Sequence, residues 1–140
     1  MRLLAGIGMF VLFVFTANAG NSEFCAEAIK KQEKVKGDMS LCLYGETLSA
    51  ELDDSPSEVV AERMVQKCNS QMDEMFELSY TMGICEQAKK HNATFENVNQ
   101  WAKSKGFDME TFKKEQKADM KEKFRTDVDK LRSERKIKNQ

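Results

Sequence analysis

The residues best suited to covalent chemistry are four cysteines, Cys25, Cys42, Cys68 and Cys85, separated by sixteen, twenty-five and sixteen residues. An even set of cysteines in a small chain entering an oxidising compartment reads as a disulfide framework. A zinc site would need two close pairs, usually with histidines. Here the nearest cysteines stand seventeen positions apart and the chain holds one histidine. The chemistry expected is oxidation to two disulfides, with no metal and no cofactor.

The N-terminus supplies the oxidising compartment. Arg2 precedes an apolar run from Leu3 to Phe15, and Ala17-Asn18-Ala19 is a small-x-small cleavage site. Residues 1–19 are therefore expected to be a signal peptide, and the protein to be secreted and extracellular. The run is too short for a membrane span, which takes roughly 20 apolar residues, and no second apolar stretch follows it. No stable membrane span is expected. The remaining chain is long enough for one domain with a real core, which the disulfides supplement.

Other chemistry is sparse. His91 lies in a polar stretch, where a lone histidine is a surface or capping residue more often than a base. The chain shows no nucleophile elbow and no glycine-rich phosphate loop, so no catalytic residue is assigned and a non-enzymatic protein is expected. Asn92-Ala93-Thr94 is an N-glycosylation sequon, and Thr94 also suits a helix cap. Residues 20–112 carry ten Lys or Arg against seventeen Asp or Glu, whereas residues 113–140 carry eleven against six. The acids interleaved in that basic segment favour attraction to the acidic part of its own chain over an external anionic partner. The secretion signal and near-neutral total charge argue against nucleic acid. Methionines such as Met39, Met64 and Met75 are expected mainly as core filler, with a small cavity between Met and Phe side chains as the less common outcome.

The elements that must position the cysteines are helical. One proline, few β-branched runs and many Glu, Lys, Met, Leu and Ala give helix-forming composition. Cys25, Ala28, Gln32, Val35, Met39 and Cys42 follow a heptad seam, as do Cys68, Gln71, Met75, Leu78, Met82 and Cys85. Between them, Ser55 reads as an N-cap, Pro56 as a first-turn residue and Glu58 as the partner in a capping box. An antiparallel hairpin, about 23–52 and 56–90, sets Cys25 against Cys85 and Cys42 against Cys68, and the axis relating these pairs falls at Ser55. Joining Cys25 to Cys42 would instead require broken helices, since one straight helix holds them about 25 Å apart. Gly37 and Gly45 are the positions where the first helix would bend or break, and Gly83 weakens the second.

A short helix (about 95–104) is expected to stop at Gly106 with Phe107 folding back. A long C-terminal helix (about 109–132) follows, capped by Asp108. Residues 133–140 read as a frayed basic tail. The two later helices are expected to cover Val65, Met72, Phe76 and Tyr80 on the second helix, and Leu41, Tyr44, Leu48 and Leu52 on the first. The fold class expected is thus an all-α, disulfide-stapled bundle over residues 20–132.

The cysteine spacings depart from those of insect odorant-binding proteins and saposin-like domains. The twin-cysteine helical hairpins of mitochondria share the doubly bridged logic at shorter spacing, a likeness of architecture alone. The functional expectation is a secreted binding protein acting through contact with another extracellular protein, as a small effector or signalling factor. The alternative is a carrier of small hydrophobic ligands between Met and Phe side chains. For either role the expected face is Met72, Phe76, Tyr80, Trp101, Phe107 and Phe112.

Overall fold

The computed structural model describes residues 23–138; residues 1–22, which include the expected signal peptide, and residues 139–140 lie outside the described residues. The described chain forms five helices: α1 (Glu23–Glu51), α2 (Ser57–Lys67), α3 (Asn69–Lys90), α4 (Phe95–Ser104) and α5 (Met109–Lys138). The protein is an all-α bundle stapled by disulfides. Cys25 pairs with Cys85 and Cys42 with Cys68, at Cα separations of 5.9 and 5.8 Å.

The seam explains this pairing. Cys25, Ala28, Val35 and Met39 are buried on one side of α1, and Met82 and Cys85 are buried on α3, against which α1 packs. α1 runs unbroken through Gly37 and Gly45. The residues around the glycines are mostly good helix formers, and bridges at Cys25 and Cys42 fix the seam at two levels, so the cost of each glycine is absorbed.

Three local expectations are corrected. The second helix is two helices, interrupted at Cys68, whose backbone (φ −95°, ψ 15°) leaves helical geometry. The interruption lets α2 pack along α5 while α3 packs along α1. Asn69 and Ser70, poor helix-interior residues, follow the break, and the Cys42–Cys68 bridge pins it. The Ser55–Glu58 capping box does not form. Pro56 occupies the cap position without a side-chain hydrogen bond, and the Ser55 N–H donates instead to Asp53 Oδ1 at 2.8 Å, closing an Asx turn. Arg63 pairs with the same Asp53 carboxylate.

The third correction concerns the C-terminal helix, which continues to Lys138, past the point where fraying was expected. Arg132 donates to the carbonyls of Asp53 and Ser55 at 2.7 and 2.5 Å, and Arg135 to that of Glu51 at 2.7 Å. These bonds tie the helix end to the α1–α2 turn. Basic residues in the last turn also complement the helix dipole. Elsewhere the cations of α5 meet the acids of α2 and α3. Lys113 lies 2.7 Å from Glu77, Lys117 2.6 Å from Asp73, and Lys121 2.6 Å from Glu62. The basic segment is engaged by its own acidic bundle.

Two apolar clusters form the core. One joins Met39, Val60, Met64, Met72 and Phe76 to Phe124 and Val128 of α5. The other joins Tyr80, Ile84 and Ala88 of α3 to Val98 and Ala102 of α4. Phe112 packs against both clusters. The expected cover for α1 is absent: Leu41 is 73% exposed, Tyr44 66%, Leu48 48% and Leu52 86%. α4 and α5 pack mainly on α2 and α3, so among the described residues the outer side of α1 keeps no neighbour.

Candidate functional site

The upper half of α3 is bridged by α4 and the start of α5, and both connections owe their geometry to helix-ending turns. After α3, Ala93 N–H bonds the Ala88 carbonyl at 2.9 Å and Asn92 N–H that of Lys89 at 3.2 Å. Asn92, at φ 49°, takes the left-handed position of this Schellman turn. Thr94 then caps α4, its Oγ1 accepting from Asn97 N–H at 3.2 Å. After α4, Phe107 N–H bonds the Ala102 carbonyl at 3.0 Å and Gly106, at φ 78°, fills the left-handed position. This turn throws Phe107 back over α3, as the sequence predicts. Asp108 caps α5 by accepting from Thr111 N–H at 2.9 Å, and that bond holds its carboxyl below the usual range.

Between these helices lies a cavity of about 200 Å³. Phe76, Tyr80, Gly83 and Ile84 of α3 form its floor, Val98, Trp101 and Ala102 of α4 one wall, and Phe107 and Phe112 the other. Three rings order that wall: Tyr80 and Phe107 have centroids 5.5 Å apart, Tyr80 and Phe112 5.9 Å, and Phe107 and Phe112 5.7 Å. Such contacts fix ring positions as well as bury area. The Tyr80 hydroxyl sits 2.9 Å from Asn99 Oδ1 and 3.1 Å from the Phe107 carbonyl, two acceptors for its single proton. Burial pushes its phenol pKa up.

Gly83 makes much of the room. A Cβ built there meets no atom within 4 Å, so the floor is open where any other residue would project. Polar groups are few: Ser79, whose hydroxyl donates to the Met75 carbonyl at 2.8 Å, and the amides of Gln87 and Gln116. Trp101, 63% exposed, stands at the mouth, and on its other side Gln87, His91, Ala93 and Asn97 line a second hollow.

Five of the six residues expected on the functional face, Phe76, Tyr80, Trp101, Phe107 and Phe112, line this cavity. Met72 does not. It is fully buried, packed with Met39, Met64 and Phe124 a turn below. The walls are aromatic rather than methionine-rich: among the described residues Met75 is the one methionine that reaches the cavity, and Met39, Met64 and Met82 fill the core. Sequence reasoning missed Gly83, Ile84 and Gln87, although Ile84 continues the Phe76–Tyr80 spacing of four. Asn92 is exposed in its turn, and Cys25, Cys42, Cys68 and Cys85 lie in the bridges described above.

Among the described residues, no three His, Cys, Asp or Glu side chains gather where they would hold a metal ion, and no helix is long and apolar enough to cross a membrane. No family model matches the chain, and neither a curated protein nor a solved structure matches it.

Proposed function

We propose that this protein is a secreted, non-enzymatic binding protein that holds a small apolar molecule in the cavity between α3, α4 and α5. The observation carrying this reading is the cavity's chemistry: a largely apolar, ring-lined space of about 200 Å³ open at Trp101. Apolar cavities of about 150 Å³ stay dry and take up benzene, whereas drug-sized ligands occupy about 300–1,000 Å³. The ligand class that fits is therefore a single ring or a short branched hydrocarbon, such as an alkylbenzene or a monoterpenoid. Secretion is supported by the N-terminal leader pattern and the two disulfides, and glycosylation by the exposure of Asn92 in a turn. A non-enzymatic role is supported by the engagement of Tyr80 and Ser79 in bonds to their own fold.

The test is titration with butylbenzene or menthol while following the emission of Trp101, the single tryptophan of the chain. Saturable change at micromolar ligand, lost in Trp101→Ala by a competing extrinsic probe, is the expected result. Unchanged emission across the ligand's solubility range would remove the carrier reading.

A further inference from the structure

The exposed stripe on α1 lies on the side away from Cys25, Val35 and Met39, and it contains more than leucines. Gly37 and Gly45 belong to the same face, four residues either side of Leu41. A Cβ at either glycine meets nothing within 4 Å, so the fold of one chain gives no steric reason for a glycine there. Each also weakens the helix relative to alanine. The face thus alternates large residues (Leu41, Tyr44, Leu48, Leu52) with two positions from which side chains are missing.

We infer that this face is a dimerisation surface whose occupant is α1 of a second copy, packed antiparallel about a two-fold axis between Tyr44 and Gly45. In that register Tyr44 of each copy covers Gly45 of the other, Leu41 meets Leu48, and Leu52 covers Gly37. Every large side chain then faces a glycine or a leucine, and the face is its own complement, as a two-fold interface requires. Charge selects the same direction. Lys30 and Lys34 extend the stripe toward the start of α1, where Lys34 also pairs with Asp38 at 2.5 Å, and Glu51 and Asp54 flank its far end, where Asp54 also pairs with Arg135 at 3.0 Å. Antiparallel packing sets Asp54 of one copy next to Lys34 of the other, whereas parallel packing would set Lys34 against Lys34.

The contact is modest. From Gly37 to Leu52 the stripe runs about 23 Å along a helix face about 10 Å wide, so the two copies together bury well under the total of about 1,200 Å² typical of stable complexes. The dimer is accordingly weak, forming at micromolar concentrations and above.

Sedimentation velocity from about 1 µM to about 1 mM tests it, a range that brackets such affinities. The wild type is expected to pass from monomer to dimer. Leu48→Lys should remain monomeric. Gly45→Leu is the sharper variant: the monomer has room for the side chain and the helix gains from it, yet it collides with Tyr44 of the other copy. It should weaken the dimer at least about tenfold while circular dichroism shows an intact helix fold, although it makes the surface more apolar. A wild type monomeric throughout would overturn the inference. So would a Gly45→Leu variant that dimerises as well or better, which would mean unspecific apolar association. Flotation of the monomer with anionic vesicles, abolished by Leu48→Lys, would assign the face to a lipid surface and likewise overturn it.

Discussion

Gly83 offers the sharpest separation of stability from function. It sits inside α3 on the cavity floor, in open space. Replacing a mid-helix glycine with a residue that has a side chain gains about 0.5–1 kcal/mol. Burying a leucine side chain in an existing apolar void adds about 1.5–3 kcal/mol, less about 0.5–1 kcal/mol of side-chain entropy. Gly83→Leu should therefore stabilise the fold by about 2 kcal/mol, or about 8 °C in Tm for a domain of this size. The same four carbons fill the space proposed for a ligand, so apolar uptake should disappear as stability rises. Gly83→Ala should gain about 1 kcal/mol and retain binding. Urea denaturation and probe uptake on the same three proteins decide the matter. A Gly83→Leu variant that is less stable would mean that the space is not available. One that is more stable and still takes up ligand would place binding elsewhere.

Removing both cysteines of one bridge tests the hairpin. Loop entropy gives about 3.5 kcal/mol for Cys42–Cys68, and about 4 kcal/mol for Cys25–Cys85 with the inner bridge present. Denaturation of the Cys→Ala pairs should show losses of that order, and non-reducing peptide mapping should recover these two links and no others. Acid sensitivity should arise in part at the α1–α2 turn. The Ser55 hydroxyl and N–H, together with Arg63, hold the Asp53 carboxyl well below its usual range. Because the folded pKa is the lowered one, this contribution is intact at neutral pH and down to about pH 4. It is lost as pH falls further, through the folded pKa. Asp53→Asn should lower stability at pH 7 and flatten the acid limb of a Tm–pH curve. If secretion delivers the sequon to a glycosylating compartment, Asn92→Gln should lower the mass of the secreted protein by one glycan, as seen by mass spectrometry before and after endoglycosidase treatment.

The disulfide pairing was legible because two unrelated signals coincide. The heptad positions of Cys25, Cys42, Cys68 and Cys85 set the register, and Pro56 marks a turn on the axis of that register. The break at Cys68 was not legible, because neither glycine nor proline stands near it. It exists because α2 finds its partner in α5, a tertiary preference that no local pattern encodes. The cavity was half legible. Phe76 and Tyr80 share a helical stripe with Met72, and periodicity cannot say which of them meets a core and which a void. That depends on where ten-residue α4 crosses α3 and on the missing side chain at Gly83. The uncovered face of α1 was misjudged for a related reason. An amphipathic pattern shows that Leu41, Tyr44, Leu48 and Leu52 seek cover, and it does not show whether the cover belongs to the same chain.

A small apolar molecule is expected to enter the space among Tyr80, Ile84, Val98, Phe107 and Phe112. Methyl and aromatic NMR spectra recorded during titration with butylbenzene address it directly. Resonances of Ile84, Val98, Phe107 and the Trp101 indole should shift together along one saturable curve, while those of Val60, Met64 and Val128 in the other cluster stay fixed. Spectra that do not change, or shifts confined to Leu41, Tyr44 and Leu48 on α1, would contradict it.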